Sequence, residues 1–175
     1  DGRCPTAWVL EQIDLIHRMV KHYPEVFELA LCADDIERIH GQGRIASMIG
    51  IEGGHVIADS LGTLRMFHAL GARYMTLTHG DTNTWCDSAT DAPRHGGLSP
   101  FGEEVVREMN RLGMLVDISH ISAEAMDDVL RVSSAPIIAS HSAADGVAAP
   151  PRNVPDAVLA RMSRNDGLVM VTFFS

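Results

Sequence analysis

Met114-Leu115-Val116-Asp117-Ile118-Ser119-His120 is an apolar run that takes in one aspartate and ends on a histidine. Its first six residues read as a strand covered on both faces, since they are nearly continuous in apolar side chains rather than alternating. The same design recurs on either side. Arg73–Thr78 is a strand ending at His79, and Ala135–Ser140 a strand ending at His141. Arg44–Ile51 is closed by Glu52-Gly53-Gly54, a tight turn, and Gly167–Phe174 forms a fifth strand.

Helical patterns fill the intervals. Thr6 opens a helix whose apolar residues Trp8, Val9, Ile13, Ile16, Met19 and Val20 recur at helical spacing, with Pro24 beyond its end. Asp34 or Asp35 opens a second through His40. A third runs from Asp59 to Leu70 with Gly71 as its stop, and a fourth from Pro100 to Arg111. Ser122–Val132 follows with Ser122 as N-cap; Ala125 at the third helical position rules out a capping box. Pro155–Ser163 is the sixth. The polar stretch from Gly80 to Ser99 is long for a simple connection and reads as functional.

Strands alternating with helices give an α/β fold with a parallel sheet. The polar residues choose the architecture. Glu52, His79, His120 and His141 each follow a strand, and in (β/α)₈ barrels the active site is built at that C-terminal face from several strands. The expected fold is therefore a (β/α)₈ TIM barrel of the metal-dependent hydrolase type, of which the chain covers about five βα units. A complete barrel takes roughly 250 residues. Residues 1–175 are accordingly expected to be one partial barrel domain, with N-terminal and C-terminal barrel strands outside the chain.

Composition removes several alternatives. The chain has 14 basic and 23 acidic residues, a net charge of −9, and a pI near 5.3. Nucleic acid is not the expected partner, because phosphate binding needs clustered Lys and Arg. No apolar run approaches the ~18 residues of a membrane span. Cys4, Cys32 and Cys86 cannot all pair and include no Cys-x-x-Cys spacing, which argues against a disulfide scaffold.

Nine histidines are present. His17, His22, His40 and His68 lie within or beside helices and read as helix-face residues, and His95 sits in the long loop. His79, His120 and His141 stand apart because each ends a separate strand beside a strand-end glutamate. Imidazole nitrogen and carboxylate oxygen are normal ligands of catalytic Zn²⁺, which activates a bound water. Glu52, His120 and His141 are the candidate metal ligands and Glu52 and His79 the candidate catalytic residues. Arg152 could hold a substrate carboxylate, and Asp117 could orient a ligand ring. Gly53-Gly54-His55 matches no phosphate-binding loop, and no G-x-S-x-G elbow occurs.

With these residues in view the chain resembles the membrane dipeptidase family of zinc peptidases, typified by renal dipeptidase. The resemblance rests on Ile49–His55, Tyr74–His79, Gly97–Gly102, Asp117–His120, Ser140–Ser142 and Arg152–Asp156, in that order. It covers essentially all of the chain and implies the middle of a catalytic barrel. It also implies two zinc ions per full-length subunit and hydrolysis of dipeptides, including those with a C-terminal D-residue, by a metal-bridging hydroxide. Glu52 matches the glutamate bridging both metals, His120 and His141 the histidines on one zinc. His79 matches a histidine that contacts substrate and stabilises its oxyanion, and Arg152 the substrate-binding arginine. The family's His-x-Asp pair and its proton-carrying aspartate are expected outside this chain, leaving the second metal site incomplete. Asp81 stands where a cysteine of the animal enzymes' disulfide aligns, so a bacterial-type, cytoplasmic enzyme is expected. A homodimer is the expected assembly. Two readings compete: another amidohydrolase-type hydrolase (lactonase or amide hydrolase), and a metal-free, non-catalytic barrel.

Overall fold

The computed structural model describes residues 4–148 and 151–172. Its elements in chain order are α1 (Pro5–His22), β1 (Phe27–Leu29), α2 (Ala33–Gly41), β2 (Ile45–Ser47) and β3 (Ile49–Glu52). After a 3₁₀ turn at Gly54–Ile57 come α3 (Leu61–Ala69), β4 (Ala72–Thr76), α4 (Pro100–Leu112) and β5 (Leu115–Asp117). The last are α5 (Ala123–Val132), β6 (Ile138–Ser142), α6 (Asp156–Met162) and β7 (Leu168–Val171). A five-stranded sheet has the order β3-β4-β5-β6-β7, with β4–β5, β5–β6 and β6–β7 all parallel. The expected α/β fold with sequential parallel strands is present. β1 and β2 form a second, two-stranded parallel sheet that the sequence pattern did not announce.

The chain divides into two compact units. One comprises residues 1–51 with Val56–Arg73, the other Glu52–His55 with 74–175. In the first, α1 starts with proline at its first turn, where the missing N–H would be unbonded anyway. Its apolar periodicity is helical as read, yet of its residues only Ile13 is buried, while Trp8, Leu15 and Met19 are exposed. His17 Nε2 donates to the Leu70 carbonyl at 2.7 Å, so this helix-face histidine ties down the end of α3. Ser60 caps that helix by accepting from Thr63 N, and Gly71 follows at φ 107°, in the left-handed region open to glycine.

The second unit holds the larger core. Val105, Val106 and Met109 of α4, Val116 of β5, Met126 and Val129 of α5 and Ala139 of β6 are all buried. Ser99 and Ser122 cap α4 and α5, accepting from Gly102 N and Ala125 N, and Gly113 ends α4 in the left-handed conformation.

Several boundaries differ from the sequence reading. The expected strand Arg44–Ile51 is two strands interrupted at Met48. Ala135–Ser140 begins later, because Pro136 has no N–H to give the ladder and Asn165 Oδ1 takes up Ile137 N. It also ends later: β6 runs to Ser142, which pairs with Val171, so His141 lies inside a strand rather than after one. β4 and β5 stop at Thr76 and Asp117, so His79 and His120 each follow by three residues. The end of the last expected strand, at Phe173 and Phe174, lies outside the described residues.

Candidate metal centre

Glu52 is the final residue of β3, and the chain turns immediately behind it. Gly53 has φ 100° and donates its N–H to Thr76 Oγ1 at 2.7 Å. A side chain at Gly53 would press on the His55 ring, within 2.6 Å of Cε1. Glycine is needed there on both counts.

His120 sits at φ 72°, a left-handed conformation that costs a residue with a Cβ about 1–2 kcal/mol. Its carbonyl is held in that posture by two donors, Ala89 N at 2.8 Å and Thr78 Oγ1 at 3.1 Å, with the Ser88 hydroxyl 3.3 Å away. His141 projects from β6. Its own N–H donates to Ser119 Oγ at 3.1 Å, and its carbonyl accepts from Arg152 Nη2 at 2.8 Å.

These elements bring Glu52, His120 and His141 together, with one ligand-type atom from each lying within 4.8 Å of the others. Glu52 Oε1 is 3.1 Å from His120 Nε2 and 3.2 Å from His141 Nε2. Zinc bonds of about 2.0–2.1 Å in a tetrahedral arrangement put donor atoms roughly 3.3 Å apart, so both separations suit that ion. The two Nε2 atoms are 2.7 Å apart, a hydrogen-bonding distance at which one ring presents a lone pair to the other. Two imidazoles and one carboxylate form a donor set suited to zinc.

His79 completes the group without joining the triad. Its Nε2 is 3.8 Å from Glu52 Oε1, and its ring packs edge-on against His120 with centroids 4.8 Å apart. The side chains of Glu52 and His79 are about half exposed, at 51% and 57%, against 10% for His120. One side of the cluster is thus open to solvent. Burial, the Arg152 guanidinium and the His141 ring together push the His120 pKa down to about 4, with Glu52 opposing. At neutral pH His120 is therefore neutral, the form a metal requires. Burial, and then the neighbouring His79, also lower the pKa of His55, with Asp81 opposing.

Glu52, His79, His120, His141, Arg152 and Asp117, the residues singled out from the sequence, all fall in the second unit, and the first four converge. Arg152 touches the group through the His141 backbone. Asp117 reaches His141 through Ser140, a link that spacing alone could not reveal. Thr78, Ser88 and Ser119, which fix the ligand backbones, carried no signal beyond the adjacency of serine to histidine at 119–120. Trp85, Asp87, Asp91 and His95 of the long loop fold that loop on itself. Asp87 accepts from the Arg94, His95 and Gly97 amides, Asp91 from Thr82 N, and His95 Nε2 donates to the Asn83 carbonyl.

The sequence model of the family described as Membrane dipeptidase (Peptidase family M19) matches residues 6–175. The chain belongs to the membrane dipeptidase family. Among curated family members it is 51% identical over 164 residues to the dipeptidase tcpJ of Claviceps purpurea, covering 93% of this chain and 39% of that protein. It is 47% identical over 167 residues to the dipeptidase aclJ of Aspergillus oryzae, covering 94% of this chain and 40% of that protein. Among solved structures, the probable dipeptidase PvdM from Pseudomonas aeruginosa superposes with a TM-score of 0.87 at 30% identity, over 91% of this chain and 42% of that one. A metallo peptidase from Rhodobacter sphaeroides, liganded with a phosphinate mimic of the dipeptide L-Ala-D-Ala, gives 0.77 at 30% identity, over 84% and 43%. The chain spans about two fifths of the length of the curated relatives it matches. Its fold is that of the family's TIM-barrel type, represented here by the sheet β3 to β7, parallel from β4 onward.

Proposed function

We propose that this chain is the central part of the catalytic barrel of a zinc dipeptidase that cleaves dipeptides, including those with a C-terminal D-residue. The observation that carries the reading is the convergence of Glu52, His120 and His141 from three different strands or strand ends, in a chain of this family. The D-residue rests on the Rhodobacter relative's ligand, a mimic of L-Ala-D-Ala.

Glu52, His120 and His141 would hold zinc, in a centre of two ions per complete subunit. Zinc bound there would lower the pKa of water to near neutrality and so supply hydroxide as the nucleophile. The chain's residues do the rest. His120 is buried and uncharged, so ligation through it requires no net loss of a proton. His79 is solvent-facing beside Glu52, and in this reading it would donate to the scissile carbonyl oxygen as negative charge develops on it. The Arg152 guanidinium lies near enough to His120 to depress its pKa, and its positive charge would attract the substrate carboxylate. Fixing that carboxylate orients the peptide bond toward the exposed edge of the cluster.

The test is hydrolysis of a panel containing L-Ala-D-Ala and L-Ala-L-Ala by the full-length protein, with zinc stripped by chelator and then restored. Turnover of both that disappears and returns with zinc supports the proposal. Turnover confined to lactones or non-peptide amides would move the assignment to another hydrolase of the same barrel type.

A further inference from the structure

Asp117 ends β5 and is fully buried, and Ser140 precedes His141 on β6, the neighbouring strand. Asp117 Oδ1 accepts the N–H of Ser119 and of Ser140, both at 3.0 Å. Its Oδ2 accepts the Ser140 hydroxyl in a short hydrogen bond. Ser140 Oγ in turn lies 2.7 Å from His141 Nδ1.

Counting protons orders this chain of contacts. A hydroxyl carries one hydrogen, and the Asp117 carboxylate oxygens accept at every contact they make here. The Ser140 hydrogen therefore points at Asp117, and its oxygen faces His141 with lone pairs. His141 must supply the hydrogen of that contact from Nδ1. Nε2 is then the bare nitrogen, and it is the one that faces the cluster, 2.7 Å from His120 Nε2 and 3.2 Å from Glu52 Oε1. Ser119 locks the other side: its N–H binds the same carboxylate while its hydroxyl accepts the His141 amide at 3.1 Å.

We propose that Asp117 and Ser140 are positioning residues, which hold His141 in the Nδ1–H tautomer and fix its ring plane so that Nε2 is ready to ligate. This rests on the metal-centre reading above. A histidine ligand commonly gives its second ring N–H directly to a carboxylate or carbonyl. Here a serine is interposed, so the carboxylate sets the tautomer by deciding which way the hydroxyl turns.

Two measurements on the full-length protein test this. Histidine-selective ¹⁵N NMR of the metal-stripped wild type should show His141 protonated at Nδ1. In Asp117→Asn an amide NH₂ can face Ser140, turning its hydrogen toward His141 and moving the ring proton to Nε2. Zinc affinity, measured by competition with a chromophoric chelator, should fall roughly 10–100-fold in Ser140→Ala and Asp117→Asn. Ser140→Thr, which keeps the hydroxyl, should bind zinc as the wild type does. Should Asp117→Asn fail to fold, the wild-type spectrum and Ser140→Ala still decide. An Nε2–H signal for His141 in the wild type overturns the proposal, as does unchanged zinc affinity in a folded Ser140→Ala. Failure of the wild type to bind zinc at all would instead remove the metal-centre reading, and the proposal with it, whatever the tautomer.

Discussion

Replacing Asp87 by alanine should destabilise the protein and loosen the backbone behind His120. The side chain is fully buried in the loop between β4 and α4. It accepts from Arg94 N at 2.8 Å, His95 N at 3.1 Å and Gly97 N at 2.9 Å. Its backbone carbonyl also accepts from Ser122 N at 2.9 Å, next to the residues that fix His120. A buried N–H left unmet costs about 1–3 kcal/mol. Three such groups, partly relieved by water reaching the loop, give an expected loss of about 3–5 kcal/mol, at the upper end for single substitutions. Asp87→Asn keeps one acceptor oxygen but turns an NH₂ toward a donor, and should lose less.

The pH dependence follows from the carboxyl's position. Burial raises its pKa, but the Arg94, Gly97 and His95 amides, helped by the His95 ring, outweigh it and hold Asp87 below the usual aspartate value. A depressed pKa contributes stability that is complete above the unfolded value, about 3.9, and fades as pH falls through the folded one. Urea unfolding of wild type and Asp87→Asn should therefore show a constant gap from neutral pH down to about 5, narrowing below about 4. An Asp87→Ala protein within about 0.5 kcal/mol of wild type would refute the reasoning. So would a gap that widens with acid.

Two further substitutions probe the packing around the site. A Cβ at Gly54 would overlap the Trp85 six-membered ring and come within 2.7 Å of the Leu77 carbonyl oxygen, so Gly54→Ala should cost about 1–3 kcal/mol or more. It should also alter the near-ultraviolet circular dichroism of the buried Trp85. Ser122→Ala removes the cap on the Ala125 amide and should cost about 1 kcal/mol in urea unfolding, with zinc affinity unchanged.

Much of this architecture was legible because parallel strands covered on both faces leave long apolar runs. The runs ending near Glu52, His79 and His120 announced both the sheet and the edge at which chemistry is grouped. Ser122 was readable as a cap because a serine before a helical pattern has a local reason to be there. What escaped detection depends on tertiary contacts. Phe27-Glu28-Leu29 is too short to show any period, and becomes a strand only by pairing with Ile45–Ser47. The extension of β6 past His141 is fixed by Val171, roughly thirty residues away, by a pairing across the sheet that no local pattern encodes. The loop from Gly80 to Ser99 was conspicuous by length, yet its charged residues serve its own fold: Asp87 satisfies three amides of the loop. Ser140 and Ser119 are invisible to pattern reading because a hydroxyl's role depends on which strand lies beside it.

The central claim is that Glu52, with His120 and His141, holds metal for peptide hydrolysis. The most direct test is metal content per chain by plasma emission, on wild-type and Glu52→Gln full-length protein purified without chelator, alongside L-Ala-D-Ala turnover. The account predicts about two zinc equivalents with turnover in the wild type, as a two-metal hydrolase would show, and loss of both in Glu52→Gln. A wild type without bound metal, or a Glu52→Gln protein that keeps its zinc and its turnover, would contradict it.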